Sequence, residues 1–259
     1  QILLFVVAML ITSFFFFGMK KMSDSYVLSV ALFFVLGTFF DSLNGLRQYM
    51  AAAITFYAIA GIFSKKPIRF ILLVLAASLF HSSALPALVI YPLVRKVQLS
   101  RRSLLLLTAA FLMLGNTLGA GVTAFLSYTR YSYYLHSSEY MVEPTLGATV
   151  STCVATLLAL FVGVYKGKGS DAHTAETVRR HEMGVLNFLA LLSALLSFFV
   201  PLALRVQYYF IPFESVFIPY ALHMIENTRL RFLVGLLVVG LLGSMTVIGM
   251  VSNGWYGAY

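Results

Sequence analysis

Apolar residues fill most of this chain in long runs, and short polar stretches break them up. The runs at 2–19, 26–40, 45–63, 103–126, 148–165, 183–204, 206–225 and 232–251 each read as a helix crossing a bilayer, about eight full spans. A further run, 70–94, is interrupted by His81-Ser82-Ser83 and then by Pro86. Its halves, 70–80 and 84–94, are each about 11 residues, roughly 16 Å of helix. That is too short for a hydrocarbon core of about 30 Å. A re-entrant hairpin with His81 at its tip fits the length, and one kinked crossing is the other reading. The alternation that a barrel strand needs is absent. The expected fold class is therefore all-α, a polytopic integral membrane protein forming one transmembrane domain over 1–259. No internal repeat or low-complexity segment shows. The chain begins at Gln1 already inside an apolar run, so residues upstream are expected to be missing.

Composition agrees with the pattern. The chain is 60% hydrophobic and 10% charged, with a mean hydropathy of +0.91, whereas about a quarter of a soluble domain is charged. The net charge of +9 is gathered in turns at 20–21, 65–69, 95–102, 166–180 and 229–231. Such turns mark cytoplasmic loops and lipid contact, so no nucleic-acid partner is expected. All five can share that side only if 70–94 enters the membrane and returns. A single crossing would send the turn at 65–69 or the one at 95–102 outside. With the hairpin, Asp41, Asn44, Arg47, Gln48, His81, the loop 127–147, Arg205 with Gln207 and the tail all fall on the opposite face. The lone Cys153 lies in an apolar run, which leaves no disulfide framework and no thiolate metal site. No metal and no cofactor is expected. Walker, dinucleotide, HExxH and GxSxG motifs are absent, which removes support for ATP-driven transport and for those hydrolase classes.

Several polar residues remain to be explained. Asn44, Arg47 and Gln48 have the i, i+3, i+4 spacing of one helix face. Arg47 either snorkels to the headgroups or serves a ligand, as an intramembrane charge often does. His81-Ser82-Ser83 is either a cap and turn or an imidazole with a chemical task. Arg205 lies between Pro201 and Pro212 and precedes Gln207-Tyr208-Tyr209. It is either an interfacial anchor or a second guanidinium for the same ligand. Two outward arginines in a low-dielectric setting suit a diphosphate, which accepts their forked donors. Glu214 sits in Ile211-Pro-Phe-Glu214-Ser-Val-Phe and is either functional or half of an ion pair. Glu139 and Glu143 read as a solvated loop face, and His223 and Glu226 as structural.

The segment Asn44-Gly-Leu-Arg47-Gln48-Tyr-Met-Ala51 resembles the EpsG family of bacterial exopolysaccharide proteins, related in role to Wzy-type polymerases. Phe80-His81-Ser82-Ser83-Ala84 and Arg205-x-x-Tyr208-Tyr209-Phe210 are similar to two further family patterns, in the family's order. The resemblance covers about residues 26–225. It implies a multi-pass protein of the bacterial cell (inner) membrane that joins undecaprenyl-diphosphate-linked oligosaccharide repeat units at the outer leaflet. It also implies a glycosyltransferase-type reaction with His81, Arg47 and Arg205 catalytic. Asn44, Gln48, Ser83 and Tyr209 would bind substrate; Asp41 and Glu214, outside the motifs, are added to that set. The arginines would hold the departing diphosphate, while His81 would either deprotonate the acceptor hydroxyl or donate a hydrogen bond to the diphosphate. Implied partners are the lipid-linked oligosaccharide, membrane lipids, and chain-length regulator and flippase proteins. Competing readings are a flippase or transporter for the same glycolipid, a membrane sugar acyltransferase, and a structural subunit of an assembly complex.

Overall fold

The computed structural model describes residues 2–129, 132–133, 146–166, 174–200 and 203–252. The described residues contain helices and turns and no strand. Lys20 and Lys21 close α1 (Ile2–Met22). The next apolar run is split into α2 (Tyr26–Val35) and α3 (Thr38–Asn44) by Gly37, whose φ of 76° is left-handed, and the two meet at 55°. The central helix α4 (Leu46–Phe63) ends where Lys65 takes a φ of 53°. The Lys65 N–H bonds to the Ile62 carbonyl at 2.9 Å, and the Lys66 N–H to Gly61 at 2.8 Å. This is the αL helix stop usually built on glycine, so a lysine there carries a steric cost of about 1–2 kcal/mol.

Pro67, with no N–H to satisfy, opens α5 (Pro67–Phe80). A 3-10 helix (Ser82–Val89) and α6 (Ile90–Lys96) follow. The rings of Phe70 and Tyr91 are 5.6 Å apart. In one continuous crossing they would be separated by roughly 30 Å, so 70–94 folds back on itself with His81 at the tip. The remaining elements are α7 (Arg101–Ser127), α8 (Leu146–Val162), α9 (Ala175–Leu196), the single turn α10 (Leu204–Gln207), a 3-10 turn (Ile211–Phe213), α11 (Glu214–His223) and α12 (Thr228–Ser252).

The span count differs from the sequence expectation of about eight. Among the described residues four helices are long and apolar enough to cross: α1, α4, α7 and α12; counting bent α2–α3 makes five. The shortfall has local causes. The run at 148–165 yields a helix of 17 residues. The run at 183–204 belongs to a helix that starts at Ala175 with Glu176, Arg179 and Arg180 in its first turns. The run at 206–225 is cut into three pieces: a turn at Tyr208–Phe210 and then Pro212 keep the backbone from one continuous ladder.

Helix α4 is the buried axis, packed between α1 and α5. Its small residues Ala51, Ala52, Ala53, Ala58 and Gly61 permit close approach. By contrast, α7 and α12 expose most of their apolar surface, as helices bathed in lipid do.

The basic turns meet at one end. Lys21 and Arg69 both donate to the Tyr57 hydroxyl. Arg95 pairs with Glu182, on which the Lys65 charge also acts. The Arg101 N–H bonds to the Tyr165 carbonyl, and Arg179 pairs with Asp24 at 2.9 Å and lies over the Tyr220 ring. Arg231 reaches His223 at 3.5 Å.

Candidate functional site

The opposite end of α4 is built differently. Gly45 caps α4 with φ −109° and ψ 49°, outside helical geometry, so α3 stops at Asn44 and a new helix begins at Leu46. This corrects the sequence reading of Asn44, Arg47 and Gln48 as one helix face. Asn44 and Arg47 are exposed, while Gln48 points into the protein. Its Nε2 donates to the Arg205 carbonyl at 2.9 Å, which ties the start of α4 to α10 across 157 residues. The adjacent rings of Tyr49 and Tyr208 lie 4.9 Å apart. Asp41, on α3, is exposed and acts electrostatically on both tyrosines.

The hairpin tip joins the same place. Ser83 Oγ is 2.8 Å from the Tyr209 hydroxyl and 2.6 Å from His81 Nδ1. The Ser83 backbone N–H also points at Nδ1, a long contact of 3.4 Å that caps the 3-10 helix. A backbone N–H can only donate, so Nδ1 accepts and the imidazole proton belongs on Nε2. The relay then runs from the Tyr209 O–H to Ser83 Oγ and from the Ser83 O–H to His81 Nδ1. His81 is therefore a cap through one nitrogen and free for chemistry through the other. It lies at the hairpin tip, outside the spans. Partial burial, and then the Arg205 and Arg47 charges, hold it below the usual histidine range.

The segment carrying Arg205 is fixed from behind. Gln207 is buried, and its Nε2 donates to the carbonyls of Ser193 and Ala194 at 3.5 and 3.3 Å, at the end of α9. The structure thus brings Asp41, Arg47, Gln48, His81, Ser83, Arg205 and Tyr209 to one end, from three stretches distant in sequence. Tyr49, Tyr208 and Gln207 complete the cluster, beyond the site residues that the sequence suggests. Tyr49 and Tyr208 directly follow Gln48 and precede Tyr209, and only their cross-chain contact reveals the pairing.

Glu214 stands apart. It is fully buried at the start of α11, with neither carboxyl oxygen hydrogen-bonded. Ser151 and Cys153 of α8 face it, although the Ser151 hydroxyl bonds to the Ala148 carbonyl. An enclosed carboxyl with no surface cannot touch a glycan as it stands, so the structure does not join it to the substrate contacts. Glu139 and Glu143 lie outside the described residues.

The arrangement presents two guanidinium groups, an N–H donor and an exposed carboxylate on one polar end of an otherwise apolar bundle. No curated protein and no solved structure matches the chain. The EpsG family model matches residues 1–258, and with the motif residues of all three stretches gathered at one end of α4, the chain belongs to the EpsG family.

Proposed function

We propose that this protein is a membrane polysaccharide polymerase that joins undecaprenyl-diphosphate-linked oligosaccharide repeat units at the outer leaflet of the bacterial cell membrane. The observation that carries the reading is the joining of the Arg47, His81 and Arg205 stretches at one end of α4, by the Gln48 bond to the Arg205 carbonyl and by the Tyr209–Ser83–His81 chain. A diphosphate is the lipid-linked group that such a pair of forked cations recognises.

In this reading the bond between the anomeric carbon and the diphosphate oxygen breaks, and its electron pair leaves with the diphosphate. Arg47 and Arg205 neutralise that charge as it develops. The acceptor hydroxyl oxygen bonds to the anomeric carbon and gives up its proton. His81, holding its proton on Nε2, is suited to donating a hydrogen bond to the leaving diphosphate rather than to taking the acceptor proton. We assign that proton to Asp41, the exposed carboxylate beside Tyr49 and Tyr208. Asn44, exposed at the end of α3, and the half-buried Tyr208 would meet sugar hydroxyls. A flippase would carry its charges along the depth of a cavity, whereas the lysines and arginines among the described residues gather at the two ends.

The test is reconstitution of the purified protein in liposomes with a lipid-linked repeat unit. Ladder products support a polymerase, and movement of the lipid without ladders supports a flippase. Arg47→Lys and Arg205→Lys should both abolish ladders at normal protein level, because a point charge lacks the two-pronged donor. Full ladders from both lysine variants would overturn diphosphate clamping.

A further inference from the structure

At the other end of α4 a second cationic cluster takes no part in the proposed reaction. Lys21 Nζ and Arg69 Nη2 lie 2.6 and 2.7 Å from one oxygen, the Tyr57 hydroxyl. Both also face the Tyr57 ring, Lys21 Nζ at 4.4 Å and Arg69 Cζ at 5.2 Å from its centroid. Neither forms an ion pair among the described residues. The acids at this end are engaged elsewhere: Asp24 with Arg179, and Glu182 with Arg95. Lys20, Lys65 and Lys66 are exposed around the cluster, Lys65 on the costly left-handed backbone. Two like charges brought onto one neutral oxygen repel each other, and an anion between them turns that repulsion into attraction.

Arg69 joins the cluster to a groove of about 640 Å³ that it lines with Lys66, Pro67, Ile68, Leu72 and Leu73. Lys66 lies at the cap of α5 and Arg69 in its first turn, with Leu72 and Leu73 one turn further on. Ile68 and Leu72 are exposed, and the groove continues along α5 on apolar side chains. A cationic head with an apolar trough matches one chemistry, an anionic phosphodiester carrying an acyl chain. We propose that the Lys21–Tyr57–Arg69 cluster and the groove beside α5 bind an anionic phospholipid, its phosphate between Lys21 and Arg69 and an acyl chain along Leu72 and Leu73. The site is separate from the Arg47–Arg205 end, and it stands or falls without the polymerase reading.

The experiment is thermal unfolding of the full chain in a zwitterionic detergent, titrated with phosphatidylglycerol, with phosphatidylcholine or with inorganic phosphate. Phosphatidylglycerol should raise the unfolding temperature with saturation, and the other two should not. Lys21→Gln/Arg69→Gln should weaken the apparent affinity by about tenfold or more, since two charge-assisted hydrogen bonds are lost. Arg102→Gln/Arg229→Gln removes the same charge from exposed positions outside the cluster and should leave the affinity unchanged. An equal response to phosphatidylcholine would overturn the charge assignment. An equal response to inorganic phosphate would make this a free-anion site and overturn the lipid. Equal losses in the two double variants would reduce the effect to net charge and overturn the site. If the cluster variant is too unstable to melt cooperatively, lipid retention by native mass spectrometry makes the same comparison.

Discussion

In the proposed reaction, His81 concentrates the chemistry at the scale of single residues. Its neighbours make Nδ1 an acceptor from Ser83, so Nε2 carries the proton. Nitrogen NMR of ¹⁵N-histidine protein, with His81→Asn to assign the signal, should show a bare Nδ1 and a protonated Nε2 at neutral pH. A protonated Nδ1 would refute the relay whatever the protein's activity. The donor role makes a second, kinetic prediction. His81→Ala should lower turnover on the order of 10²-fold, the usual loss of one preorganised donor. His81→Gln keeps an N–H and should recover part of it, which it could not do for a lost base. Ser83→Ala should shift the population between the two tautomers, and Ser83→Thr, which keeps the hydroxyl, should not. The pH dependence follows with a definite sign. Burial and the two guanidiniums disfavour the charged imidazole, so the folded protein binds its proton only below the ordinary value of 6.5. The stabilising contribution of the neutral form is present above that value and is lost as pH falls through the depressed one. The NMR midpoint should lie below 6.5 in the parent and rise in Arg205→Gln; a midpoint at or above 6.5 would place the arginines away from the ring.

At the scale of elements, the hydrophobic runs foretell helices well and their ends poorly. The break of 70–94 at His81 was legible because two halves of that length cannot each cross a bilayer, and the Phe70–Tyr91 contact closes the hairpin. The break at Gly45 was not, since one glycine inside an Asn-x-x-Arg-Gln spacing is compatible with a continuous helix until its ψ of 49° is seen. The run 206–225 reads as one span in spite of Pro212, and the Gln207 contacts that fix its first piece to α9 are encoded by no local pattern. The small residues of α7 were equally silent. A Cβ on Gly119 would lie 2.3 Å from the Phe199 carbonyl oxygen, and one on Gly115 2.5 Å from the Phe199 ring, whereas Gly121 faces open space. Gly119→Ala should therefore destabilise by about 1–3 kcal/mol through overpacking against backbone, and Gly121→Ala should be near neutral. Melting curves of the two variants in detergent check this; equal melting would mean that α7 does not pack on the 197–200 segment.

For the whole molecule, α4 sets two chemically distinct ends about 27 Å apart along its axis. One end carries Arg47, His81 and Arg205 with Asp41. At the other, the turns at 20–21 and 65–69 meet at the Tyr57 hydroxyl, and Arg95–Glu182 and Arg179–Asp24 bring in α9. Positive turns stay on the cytoplasmic side, and the contacts among them require that α5 and α6 both end there. On the function proposed above, the site cluster would then face the outer leaflet and meet a lipid-linked repeat unit there. This orientation has a direct test in cells, in a Cys153→Ser background. A cysteine at Ser83, at the hairpin tip, should react with an impermeant thiol reagent added from outside, and its labelling should fall when lipid-linked repeat units accumulate over the site. Cysteines at Ser64 and Ser100 should react only after the membrane is opened. Outside labelling at Ser100 would turn 70–94 into a crossing, contradict the Phe70–Tyr91 contact, and reverse the face presented by Arg205. Labelling at Ser83 only after opening would put the Arg47 end in the cytoplasm and remove the outer-leaflet reaction, while leaving the geometry of the cluster intact.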